Sequence, residues 1–329
     1  MEAAVADELA GRLEEAERRY ERLVAEDDGN GELWLRLAAV REEREDWRGA
    51  IEAAERAAAA HEEPEARAGV RNLAGMCWLH LNEPKAAERE LRRSLAERPD
   101  PGTCVFLNTS LVMQGRDEEA RQCLEEALRL DPDYEEAHYN LGCNDRRRGD
   151  SAAAEKRFRR AIEIDPDYAL AHAELGHVLL GRDPEEALRV LQRAIELDAS
   201  HVWSRIYLAW LHWSCKRLDE AEHEYQAAIA LAPSWGDPHW TYADFLACTR
   251  DAREPATTHF ERALALDPDD HTAPYHYAKA LLRWGVDEER AVALLRAAAD
   301  AGNDRAAKLL ANIDEPANSG VRAVGARAR

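Results

Sequence analysis

The chain has 329 residues, of which 33% are charged, and a formal net charge of −21. A field that acidic repels a phosphate backbone and argues against nucleic acid as the main partner. No stretch approaches the roughly 18 apolar residues of a membrane span, and the opening MEAAVADELA lacks a basic and an apolar region, so no secretory leader is read and the cytoplasm is the expected location.

Hydrophobic residues make up 46% of the chain, much of it Ala, which is what closely packed helices use. The six cysteines include no C-x-x-C pair. They read as small buried or half-buried residues on helices in a reducing compartment.

In chain order, residues 1–30 read as a short leading helix followed by the second helix of a truncated hairpin. Trp34 opens the next hairpin, Asp46-Trp47 marks its turn, and its end near His61-Glu62-Glu63-Pro64 is irregular. Hairpins then span 67–100, 101–134, 135–168, 169–201, 202–235, 236–270 and 271–303. The clearest is Glu135 to Tyr168. Its apolar and small residues recur at helical spacing in two blocks, broken by Arg148-Gly149-Asp150 and closed before Asp165-Pro166. Gly149 suits the left-handed conformation that ends a helix. Asp304 to Ile313 is expected to form a terminal capping helix, and the tail from Asp314 onward a disordered end.

One such hairpin cannot bury both its faces, so it needs neighbours of its own kind. An Ala recurs at Ala16, Ala50, Ala87, Ala120, Ala154, Ala187, Ala221, Ala256 and Ala291, with gaps of 33 to 37 residues. Four residues later stand Tyr20, Ala54, Leu91, Leu124, Phe158, Leu191, Tyr225, Phe260 and Leu295. Three further on, a small residue follows in nearly every copy. A face reading small, large, small lets two helices approach while the large side chain fills the gap. Acids such as Glu118, Glu119, Glu185 and Glu186 sit in the opening turns of the second helices, where they suit the positive end of the dipole.

These residues, with Trp34-x-x-Leu37-Ala38, Leu141-Gly142, Leu175-Gly176 and Leu208-Ala209, resemble a tetratricopeptide repeat (TPR) array. Pro99, Pro132, Pro166, Pro233 and Pro268 close five of the repeats. The end of the last repeat, Ala297 to Gly302 followed by Asn303-Asp304-Arg305-Ala306-Ala307, resembles the Sel1-like variant. The resemblance implies an all-α, right-handed superhelical solenoid of helix-turn-helix hairpins over residues 1–313, about eight to nine repeats. Function is then expected to be non-catalytic: a scaffold or adaptor that binds a protein or peptide in its concave groove, with no cofactor.

In this family the groove is lined by the fifth, ninth and twelfth residues of each first helix. Carried onto this chain, those positions give Arg71 and Trp78, then Tyr139 and Arg146, then His177. They continue with Trp210 and Trp213, then Trp240, Asp244 and Ala247, then Tyr275, Lys279 and Leu282. Aromatic and cationic side chains gathered on one surface resemble protein-binding hot spots, so Trp210, Trp213 and Trp240 are expected to stand open and Trp203 to belong to the core. The carboxylate clamp of chaperone-binding relatives needs a consecutive set of Lys and Asn. Arg71, Asn72, Asn140 and Lys279 do not supply one.

An enzyme using groove histidines and cysteines is the competing class, and a peptide-sensing regulator a third. His212 and Cys215 could touch one metal but are too few to hold it. Cys143 and His177 on neighbouring repeats could form a thiol–imidazole pair, but without an acid partner or closed pocket. No H-E-x-x-H, P-loop, G-x-G-x-x-G or G-x-S-x-G motif is present.

Overall fold

The computed structural model describes residues 1–249 and 252–314. The described residues form nineteen α-helices and no strand. In the first part of the chain these are α1 (Glu2–Leu9), α2 (Leu13–Glu26), α3 (Gly31–Glu43), α4 (Trp47–Ala60), α5 (Pro64–His80) and α6 (Pro84–Glu97). They continue as α7 (Pro101–Met113), α8 (Asp117–Leu130), α9 (Glu135–Arg147), α10 (Ser151–Ile164), α11 (Ala169–Leu179) and α12 (Pro184–Leu197). The remainder are α13 (Val202–Ser214), α14 (Leu218–Leu231), α15 (Gly236–Thr249), α16 (Arg253–Leu266), α17 (Thr272–Trp284), α18 (Glu288–Asp300) and α19 (Asp304–Asp314). The helices fall into two compact units that divide within α11, Met1–Ala171 and His172 onward.

Each hairpin is punctuated by local chemistry. The side chains of Asp46, Asp100, Asp150, Asp183 and Asp287 accept the backbone N–H three residues on, capping α4, α7, α10, α12 and α18. Gly115 and Gly149 take positive φ in the turns between paired helices, as the sequence predicts for Gly149. Glu45, Asn82 and Lys216 hold the same left-handed conformation at three other such turns. The turn at Lys216 leaves Cys215 exposed beyond the end of α13, where a helical, half-buried cysteine is expected. Cys77 and Cys104 are buried, and burial pushes both thiols up to about 12.

The small, large, small face is the core. All nine marker alanines are fully buried, and Tyr20, Phe158, Tyr225 and Phe260 are buried with them. Leu23 is the exception among the third set: it is half-buried, and Val24 takes the buried place. Ser94 fills the small position of α6 and donates its hydroxyl hydrogen to the Ala68 carbonyl at 2.7 Å. That bond satisfies the one polar group in this set.

The large residue of the second helix presses on a glycine of the first. A Cβ built on Gly142 would stand 2.6 Å from the Phe158 ring, and one on Gly176 2.5 Å from Leu191. Gly75 occupies the same place in its hairpin, 2.6 Å from Leu91. Gly75 therefore matches Gly142, the eighth residue of its repeat, and the repeat that contains it begins at Ala68. The reading from Arg67 was one residue early. The cause is the 37-residue gap, which α5 absorbs by starting at Pro64.

Candidate groove surface

The register shift moves two expected groove residues. Arg71 points at the second helix of its own hairpin, pairing with Glu90 at 3.4 Å and Glu97 at 3.3 Å. Trp78 packs toward the preceding hairpin, against the cluster of Ala50, Ile51 and Cys77. Both are thus part of the packing between helices, a correction to their expected groove positions. Tyr139 on α9 is half-buried, with the Tyr168 ring 5.2 Å and the Phe158 ring 6.0 Å away. Arg146, two turns along the same helix, is also half-buried.

In the second unit the aromatic residues form a connected run. The His177 imidazole stacks on Tyr207 at 4.3 Å and lies 5.8 Å from Trp210. Trp203 contacts Tyr207, Trp210 and Trp235, with centroids 5.4 to 6.1 Å apart. Trp203 is only half-buried and Trp235 is 37% exposed, so this run reaches the surface at the Trp235 end. Trp203 meets the core expectation in part: it packs against the core of this unit, and its other side meets Trp235 in the turn after α14.

Trp213 meets Phe245 edge-on at 5.6 Å and is half-buried. Trp240 is 7% exposed and does not stand open. Its indole N–H donates to the Asp237 carboxylate at 2.8 Å, and its ring lies 4.8 Å from His276 of the following repeat. His276 therefore covers the face that the sequence leaves open at Trp240. Burial raises the Asp237 carboxyl above the usual range, and the indole hydrogen bond opposes that shift.

The remaining projected residues of the last two repeats converge. Asp244 and Ala247 on α15, with Tyr275, Lys279 and Leu282 on α17, line an open pocket of about 590 Å³. Helical spacing of three and four residues puts each set on one face. The floor also includes Cys248, Ala280 and Leu309, and Arg283, Arg305, Lys308 and Asn312 complete the wall. Lys279 Nζ lies 5.4 Å over the Tyr275 ring, and Arg283 Nη2 is 3.5 Å from the Cys248 carbonyl oxygen. The Asp244 carboxylate meets His276 Nδ1 at 3.2 Å. Lys308 and Asn312 were missed because the repeat count stops at Asn303. Continued one repeat further from Asp304, they are its fifth and ninth residues.

Beneath this surface, α15 and α16 share a histidine pair. His239 Nδ1 and His259 Nδ1 are 3.0 Å apart, and His239 Nε2 is 3.3 Å from the Pro233 carbonyl. If His239 donates from Nε2 to that carbonyl, His259 donates from Nδ1 to the His239 lone pair, and both rings are neutral. Burial holds both below the ordinary histidine value; the Pro233 carbonyl opposes and Arg262 adds to the shift at His239, and the charge of His239 adds to that at His259. Tyr242 stands edge-on to His259 and donates to Glu222. The unfolded chain therefore takes up protons first as pH falls through about 6.5, so the stability from this pair is present above that pH and is lost below it. Exchange protection in α15 and α16, corrected for intrinsic rates, should fall on acidification, and His259→Gln should flatten that dependence. An unchanged pH profile in His259→Gln would show that other groups set it.

Among the described residues no helix is long and apolar enough to cross a membrane, and no three His, Cys, Asp or Glu side chains converge as metal ligands would.

Comparison with known proteins agrees with the geometry of the hairpins. Profiles described as Tetratricopeptide repeat match residues 35–102, 135–168 and 180–243, and one described as TPR repeat matches 110–142. The chain is a tetratricopeptide repeat protein. No curated protein matches its sequence. Among solved structures it is similar to a chain of the APC/C hetero-tetramer Cut9-Hcn1, at 17% identity and a TM-score of 0.64 over 85% of this chain. This chain spans 55% of the length of that one. A tetratricopeptide repeat protein from Parabacteroides merdae ATCC 43184 matches at 17% identity and TM-score 0.61, covering 74% of this chain and 97% of its own. A monomeric mutant of IFIT1 with Gppp-AAAA matches at 16% identity and TM-score 0.63, covering 94% of this chain and 78% of its own. At these identities the likeness is one of fold.

Proposed function

We propose that this chain is a non-catalytic adaptor that holds a protein or peptide partner against the first-helix face of its second unit. The observation that carries the reading is the pocket between α15, α17 and α19. Five of the six residues projected as groove-lining in the last two repeats meet there, with an apolar floor and a polar wall. Open apolar surface beside aromatic and cationic side chains is where partner-binding energy concentrates. The run from His177 to Trp235 offers a second stretch of contact in the same unit. The net charge of −21 favours a protein over a nucleic acid strand, and six free cysteines without C-x-x-C pairing fit a reducing cytoplasm. The Ala-Gly-Asn-Asp end of the array fits the Sel1-like reading of its last repeat.

Tyr275 tests the reading because it is half-buried and lines the pocket. Truncating a hot-spot aromatic typically costs roughly 2–4 kcal/mol of binding. Tyr275→Ala should therefore strip specific partners from the set captured with the tagged full chain, quantified by mass spectrometry against wild type. Its melting temperature should stay near that of wild type. An unchanged set of captured proteins would remove this pocket from the binding surface.

A further inference from the structure

Several arginines of this chain are matched by acids. Arg41 pairs with Glu17 and Glu21, Arg116 with Glu88 and Glu119, and Arg160 with Asp133 and Glu163. The pocket between α15, α17 and α19 instead gathers four cations that are not. Lys279, Arg283, Arg305 and Lys308 all line it, all are exposed, and none makes an ion pair among the described residues. The one acid in the lining, Asp244, is engaged with His276. Four cations held around one cavity repel one another, and a docked anion relieves that repulsion.

We propose that this pocket takes an acidic segment of a protein partner in which an apolar side chain stands between carboxylates. The inference rests on the adaptor reading and specifies the partner's chemistry. The apolar side chain fits the floor of Ala247, Tyr275, Leu282 and Leu309, while its flanking carboxylates meet Lys279 and Arg283 on one wall and Arg305 and Lys308 on the other. The sequence past Asp314, with Arg322, Arg327 and Arg329, carries the same sign as the wall and does not supply that chemistry. A nucleic acid strand would match the wall, but would extend from a short pocket over a protein of net charge −21.

The test uses the full chain and a fluorescently labelled peptide with a Glu-Glu-Leu-Phe-Glu-Glu core, read by anisotropy. A second peptide carries Gln for every Glu, and a single-stranded oligoadenylate serves as the nucleic acid probe. Binding of the acidic peptide should weaken with added salt and fall by at least about tenfold with the Gln peptide. It should fall as far in Arg305→Glu with Lys308→Glu, whose exposed side chains leave the melting temperature unchanged. Equal binding of the two peptides, no loss in the double variant, or tighter binding of the oligoadenylate would each overturn the proposal. Concentration-dependent self-association that the double variant abolishes would assign the site to a second copy instead. If the acidic peptide fails while Tyr275→Ala still loses captured partners, the acidic chemistry is wrong and the adaptor reading stands. If neither variant changes capture, both fall.

Discussion

Trp240→Ala is expected to lower the melting temperature of the second unit steeply, at a cost of about 3–5 kcal/mol. The indole is 7% exposed and packs within the core that runs from Ile206 to Ala306. Its removal empties a large volume beside His276 and also leaves the half-buried Asp237 carboxylate without its indole N–H donor. The measurement is thermal unfolding, with hydrogen exchange to localise the loss. Exchange should quicken in α15 and α17 and little in α3 to α8, because repeats couple chiefly to their neighbours. A melting temperature close to that of wild type would mean that Trp240 stands open, as the sequence suggests.

Gly142→Leu should be equally damaging in the first unit. Any side chain there begins with a Cβ 2.6 Å from the ring of Phe158, which is fully buried and has nowhere to retreat. Overpacking of that kind costs typically about 1–3 kcal/mol and more when several methylenes are added. Leu is a far better helix former than Gly, but that advantage is worth no more than about 1 kcal/mol, so the clash decides the sign. Gly69 on α5 is the control. A Cβ there meets nothing within 4 Å, and Gly69→Ala should stabilise the chain by up to about 1 kcal/mol. Chemical denaturation of the two variants beside wild type should move the midpoint in opposite directions; a shift in the same direction would contradict the close contact at Gly142.

The hairpins were legible because the spacing of Ala154, Phe158 and Ala161 is a packing requirement that each copy repeats. The groove was legible only in part. Position within a repeat names the face a residue lies on, and Asp244, Tyr275 and Lys279, named that way, line one pocket. It does not say what the next repeat puts over that face, so the cover that His276 gives Trp240 was hidden. Register failed where the period changed: one extra turn at the start of α5 turned Arg71 and Trp78 toward neighbouring helices, where both are half-buried. Arg305 and Lys308 lie past the last recognisable hairpin, on the capping helix, where the repeat pattern names no groove position.

Within each unit, the helices in substantial contact are neighbours in chain order or one place removed. No hairpin has to wait for a distant stretch of chain before it can bury its alanine face. During synthesis, each pair of helices can therefore set on the previous pair as it leaves the ribosome, with only short loops to close. Among the described elements α19 emerges after α15 and α17, and with it Arg305 and Lys308. The pocket thus forms only once α19 has followed α15 and α17, and a nascent chain stalled before Asp304 would hold those two helices without the cationic wall that α19 supplies.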